Sequence, residues 1–134
     1  MRKFVADGGR LILAANHFFG NTVGNANRQL GSYGMRIINT EAWKITNSPI
    51  APDPLTSGVT NVDFLRPSPI TVTDSAQGKV LVATQDELSG YVAVSRQPGR
   101  GDVIVLTQSL WWSWIRADPA KTDNLRLLEN LLAP

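Results

Sequence analysis

Residues 10–15, RLILAA, constrain the fold of this chain more than any other stretch. A strand with one face in water alternates apolar and polar side chains, whereas this run is apolar from Leu11 to Ala15. It is short, and Gly8 and Gly9 precede it. We therefore read Arg10–Ala15 as a strand buried on both faces, the kind found inside a parallel sheet. Such a strand needs a neighbour on each edge. The polar and aromatic residues 16–20, NHFFG, come next. In open α/β folds ligands sit at the carboxyl ends of such strands, so any chemistry is expected near Asn16 and His17.

The flanking segments fit an α/β reading. Arg2–Asp7 reads as the last turns of a helix, with Gly8 as its left-handed stop. It has no N-cap and only Phe4 and Val5 as an apolar face, so it resembles the tail of a longer element. Asn25–Ser32 predicts a helix capped by Asn25, with Gly34 at its C-terminal stop. Met35–Ile38 is the next strand, expected to run parallel to Arg10–Ala15 as a right-handed βαβ unit. Residues 39–75 hold five of the eight prolines, and SPIAPDPLTSGV excludes a helix because proline lacks the N–H donor. This part is a surface crossing with short strands expected within Val59–Leu65 and at Ile70–Val72.

Three strands follow at short spacing, Lys79–Thr84, Tyr91–Ser95 and Asp102–Thr107. Polar and glycine-rich turns separate them, so they form an antiparallel meander. Asp118–Leu132 predicts a closing helix with Asp118 as N-cap and Pro119 at the first helical position. Leu125, Leu128 and Leu132 mark its apolar face, widened by Leu127 and Leu131.

Composition removes several function classes. The 134 residues suit one domain, 1–134, with 43% hydrophobic and 18% charged residues. The 13 basic residues give a net charge of only +2 and are scattered, which argues against a nucleic-acid partner. There is no cysteine, hence no disulfide and no thiolate nucleophile. A single histidine with scattered carboxylates offers no metal-ligand spacing, and no motif calls for a cofactor. No apolar run reaches the length of a membrane span, and the N-terminal MRKFVADGG lacks the apolar core of a signal peptide. No membrane association and a cytoplasmic location are the expectations.

Several short motifs together resemble a known family. FVADGGRLILAANH is similar to the helix, Gly-Gly, strand and elbow of class I glutamine amidotransferase-like domains, the trehalose-utilisation type among them. GRGDVIVLTQS and DNLRLLENLLA resemble that group's closing strand and terminal helix, and Asp53-Pro-Leu-Thr-Ser-Gly-Val resembles its His-Pro turn, with Asp53 in place of His. The resemblance implies the C-terminal half to two-thirds of a flavodoxin-like fold. The family's nucleophilic cysteine matches a position near Asn16, and its late histidine one near Gln108 or Ser109. Neither residue type is present there, so glutaminase chemistry is not implied. The strands that precede the elbow in the family are missing, which leaves one edge of Arg10–Ala15 open. An open apolar edge promotes association, so a homodimer or higher oligomer is expected.

Other candidate chemistry is thin. His17 is the only histidine and stands where a general base would. Ser109 becomes a nucleophile only if the two strand ends adjoin, and no Gly-x-Ser-x-Gly elbow surrounds it. Gly20-Asn-Thr-Val-Gly24 is neither a P-loop nor a dinucleotide fingerprint. Trp111, Trp112 and Trp114 form the densest aromatic group, and Phe18 and Phe19 lie in the other loop of the same expected sheet end. Core packing, a ligand platform and a protein interface are all open to them.

The sequence thus predicts an α/β fold, a flavodoxin-like partial three-layer sandwich on a mixed sheet. The expected function is a non-catalytic domain that binds a small molecule or a protein through Asn16, His17, Phe18, Phe19, Gln108, Ser109, Trp111 and Trp112. The alternatives are a small hydrolase using His17 and Ser109, and a truncated reading frame with no role of its own.

Overall fold

The computed structural model describes residues 2–15, 21–96, 100–107 and 121–134. The elements in chain order are α1 (Arg2–Ala6), β1 (Leu11–Ala14), α2 (Thr22–Leu30), β2 (Met35–Ile37), β3 (Lys44–Ile45), β4 (Phe64–Leu65), β5 (Ile70–Val72), β6 (Gly78–Ala83), β7 (Gly90–Arg96), β8 (Asp102–Leu106) and α3 (Asn124–Leu132). Short 3-10 turns cover Gly31–Tyr33 and Pro54–Thr56. No helix among the described residues is long and apolar enough to cross a membrane.

The main sheet runs β1-β8-β7-β5-β2, with β6 also paired to β7, while β3 and β4 form a separate ribbon. The β6, β7 and β8 pairings are antiparallel, as the short turns between them require. The β1–β8 pair is parallel, Leu11 opposite Val103 through Ala14 opposite Leu106. The chain is therefore an α/β fold on a mixed sheet. Alternation along the two central strands divides the core. Val92, Val94, Ile104 and Leu106 face one cluster with Leu127 and Leu131 of α3, and Ala93, Val103 and Val105 face the other with Val5 of α1 and Val23, Ala26 and Leu30 of α2. Helices on both faces make the partial sandwich.

Three expectations are corrected. First, among the described residues β1 is not an interior strand. It lies at the end of the strand order, and Leu11, Ile12 and Leu13 are half-buried with Ala14 exposed. The strands buried on both faces are β7 and β8, because each has a neighbour on either side. Second, β2 is not the parallel partner of β1. It pairs antiparallel with β5 at the opposite end of the sheet, so α2 connects strands that are not neighbours. The parallel crossover instead spans the meander, because β8 supplies the longer apolar edge for β1 to join. Third, the closing helix begins at Asn124, with residues 121–123 non-helical, and Asp118 lies outside the described residues. Its buried face is Asn124, Leu127 and Leu131, whereas Leu132 is 65% exposed.

The rotation of α3 has a polar cause. The Asn124 side chain exchanges two hydrogen bonds with the Asp63 backbone, accepting from its N–H at 3.0 Å and donating to its carbonyl at 3.0 Å. One residue earlier, the Asp123 carboxylate accepts from the N–H and hydroxyl of Thr60 and from the N–H of Asn61. These contacts fasten the helix start to residues 60–63 and turn Leu127 and Leu131 inward. Smaller boundaries also shift. Asn21 rather than Asn25 precedes α2, while Gly34, at φ 68°, ends the following 3-10 turn in the left-handed region as expected.

Candidate functional site

The parallel β1–β8 pair decides where the expected loops depart. The Ala15 N–H donates to the Leu106 carbonyl at 3.1 Å. Beside it, the N–H and hydroxyl of the fully buried Thr107 both donate to the Tyr91 carbonyl, at 3.1 and 3.2 Å. Residues 15 and 107 thus leave adjacent strands at the same end of the sheet, the carboxyl end that α/β folds use for ligands. Asn16, His17, Phe18, Phe19, Gln108, Ser109, Trp111 and Trp112 all lie outside the described residues.

A second feature lies along β1 itself. Because Ala15 donates toward β8, strand alternation turns the N–H and carbonyl groups of Ile12 and Ala14 the other way, and they have no partner among the described residues. The sheet's other two edges are closed by the chain. On β2, the Asn27 side-chain amide bonds both backbone groups of Ile37, each at 2.8 Å, in place of a neighbouring strand. On β6, residues 49–51 run alongside, with Ala51 N–H donating to Leu81 at 2.9 Å and Ala83 N–H to Pro49 at 2.8 Å. Neither device has a local sequence signature. Asn27 lies ten residues from its partner, and the proline-rich crossing reads only as irregular.

The strongest charged group is structural. The Asp53 side chain is 3% exposed and takes both Arg96 guanidinium nitrogens, at 2.9 and 2.7 Å, with the Lys79 ammonium at 3.1 Å. It also accepts the Leu55 N–H at 3.1 Å as cap of the Pro54–Thr56 turn. The Arg96 hydrogen bonds, helped by Leu55 and Lys79, hold its carboxyl far below the usual carboxylate range against the opposing effect of burial. The resemblance set Asp53 in a histidine's place, and the structure uses it to pin the crossing to β6 and β7.

The other displaced titrations also trace to structural contacts. The Thr84 hydroxyl lowers Asp86, the Thr60 backbone lowers Asp123, and burial raises Tyr91. Among the described residues, these shifts mark no poised acid or base.

Comparison with known proteins found no matching family model and no matching curated protein. Among solved structures, the mmIFT52 N-terminal domain is similar, with a TM-score of 0.66 at 14% identity over 99% of this chain and 69% of that one. At that identity the likeness is one of fold: this chain shares the α/β architecture of that domain.

Proposed function

We propose that this chain is a non-catalytic interaction domain that pairs with a second copy of itself along β1. The observation that supports this reading is the inequality of the sheet's edges. Asn27 closes β2 and residues 49–51 close β6, whereas β1 presents Ile12 and Ala14 backbone groups on an apolar strand without lysine, proline or bulge. Antiparallel pairing about a two-fold axis joins those groups in about four inter-chain hydrogen bonds, each contributing about 1 kcal/mol net. It also covers half-exposed Leu11, Ile12 and Leu13, which is the added-strand mode of recognition. An amidotransferase-like origin without the nucleophilic cysteine and a cytoplasmic location belong to the same proposal.

The test is light scattering after size exclusion at high micromolar concentration. The wild type is expected to be dimeric. Ala14→Pro removes an outward N–H that has no partner among the described residues, so it should give a monomer with a nearly unchanged thermal midpoint. A monomeric wild type, or a dimeric Ala14→Pro, overturns the reading.

The common departure of residues 15 and 107 favours a second reading, a small-molecule site at that sheet end formed by Asn16, His17, Phe18, Phe19, Gln108, Ser109, Trp111 and Trp112. Its enzymatic form, a hydrolase using His17 and Ser109, requires an ester or amide activity that both His17→Ala and Ser109→Ala abolish.

A further inference from the structure

We infer that α3 carries a second contact between copies of this chain, a leucine stripe that packs against the same stripe of the partner; this rests on the pairing along β1. One side of the helix, Asn124, Leu127 and Leu131, is buried on the sheet. One flank faces the proline-rich crossing. There the Asn130 amide donates to the Ser57 carbonyl at 2.9 Å, and a Cβ at Gly58 would fall 2.5 Å from the Arg126 guanidinium. At about 100° per residue, Leu125, Leu128 and Leu132 fall on the opposite flank. Leu125 and Leu128 are half-buried and Leu132 is exposed.

That flank borders β1. Leu128 packs against the same core cluster as Ile12, and Arg10, Ile12 and Leu132 line one recess. Arg10 fastens the two elements. One guanidinium nitrogen donates to the Leu131 carbonyl at 3.4 Å and to the Ala133 carbonyl, and the other reaches Asp102 at 3.3 Å. The two-fold axis of an antiparallel strand pair stands perpendicular to the sheet, so each face of the sheet maps onto itself. Both α3 helices therefore lie on one face, with their leucine flanks turned toward the seam. The β1 edge is four residues, about 13 Å, long. Strands that short cover far less than the about 800 Å² per partner of a stable interface. The leucine flank supplies apolar area continuous with that edge, which assigns it to a second copy rather than to an unrelated partner.

The test reads the dimer dissociation constant of the full chain by sedimentation velocity over a micromolar concentration series. Leu132→Asp should weaken dimerisation about tenfold or more, because each copy brings an unpaired charge into an apolar contact. Leu88→Asp, at an exposed leucine between β6 and β7, should leave it unchanged. The contact exists only between copies, so melts of dilute chain should not register Leu132→Asp. The chain has no cysteine, so Leu132→Cys carries a single thiol. A bis-maleimide spanning about 10 Å, the spacing of packed helices, should link two such chains and should not link Leu88→Cys. Unchanged affinity in Leu132→Asp, equal loss in Leu88→Asp, or no link at Leu132→Cys overturns the helix contact and leaves the strand pairing standing. A monomeric wild type, or a dimeric Ala14→Pro, overturns both.

Discussion

Asp53→Asn tests the account of how residues 46–59 are held. The carboxylate is 3% exposed, but its partners Arg96 and Lys79 keep 40% and 46% of their side-chain surface in water. Breaking a fully buried ion pair costs about 3–5 kcal/mol, and an exposed pair contributes under about 1 kcal/mol. With one partner buried and two half-open, the expected loss lies between, about 2 kcal/mol at neutral pH. That corresponds to roughly 6–10 °C in the thermal midpoint of a domain this size. Asparagine keeps an acceptor for the Leu55 N–H, so the loss reports mainly the charge.

The pH dependence gives a second handle on the same group. The folded-state carboxyl titrates below its unfolded value of 3.8, so its stabilisation is complete above that value. It is lost as pH falls through the folded-state pKa. Urea melts of wild type and Asp53→Asn should therefore differ by about 2 kcal/mol at pH 7 and converge as the pH drops below about 3. A gap under about 0.5 kcal/mol at pH 7, or one of constant size down to pH 2, refutes the reasoning, because a charge-independent contact has no reason to titrate.

Two further substitutions follow from the packing and the covered edge. Leu127→Ala should cost about 2–5 kcal/mol in a denaturant melt, and Leu132→Ala, at a 65% exposed position, under about 0.5 kcal/mol, whereas the sequence pattern ranks Leu132 as a core position. Asn27→Ala strips both hydrogen bonds from Ile37 on β2, so a loss of about 1–2 kcal/mol and faster aggregation in light scattering are expected.

Much of the secondary structure was legible because its causes are local. Gly8 and Gly34 stop their elements at φ 96° and 68°, and Ile70–Val72 is a strand where its β-branched residues and flanking turns place one. The meander's strands fall within about one residue of expectation, since polar turns bound apolar runs. The ribbon of β3 and β4 was only partly legible. Two-residue strands leave almost no periodicity, and Lys44–Ile45 exists because it pairs with Phe64–Leu65.

The sequence by itself determined that the chain is α/β, that its late strands form a meander, and that thiol chemistry is absent. Only the tertiary structure decided the strand order, and with it which apolar run is central. RLILAA reads as interior because its residues are apolar on both faces, but burial is a property of neighbours. β8 has neighbours on both sides and β1 has one among the described residues. The face of α3 was decided the same way. Five leucines fit several helical stripes, and the Asn124 contact with Asp63, across 61 residues of sequence, selects the stripe of Leu127 and Leu131. Asp53 meets Arg96 across 43 residues. Such pairings arise when the sheet closes, and no local pattern of residue types encodes them.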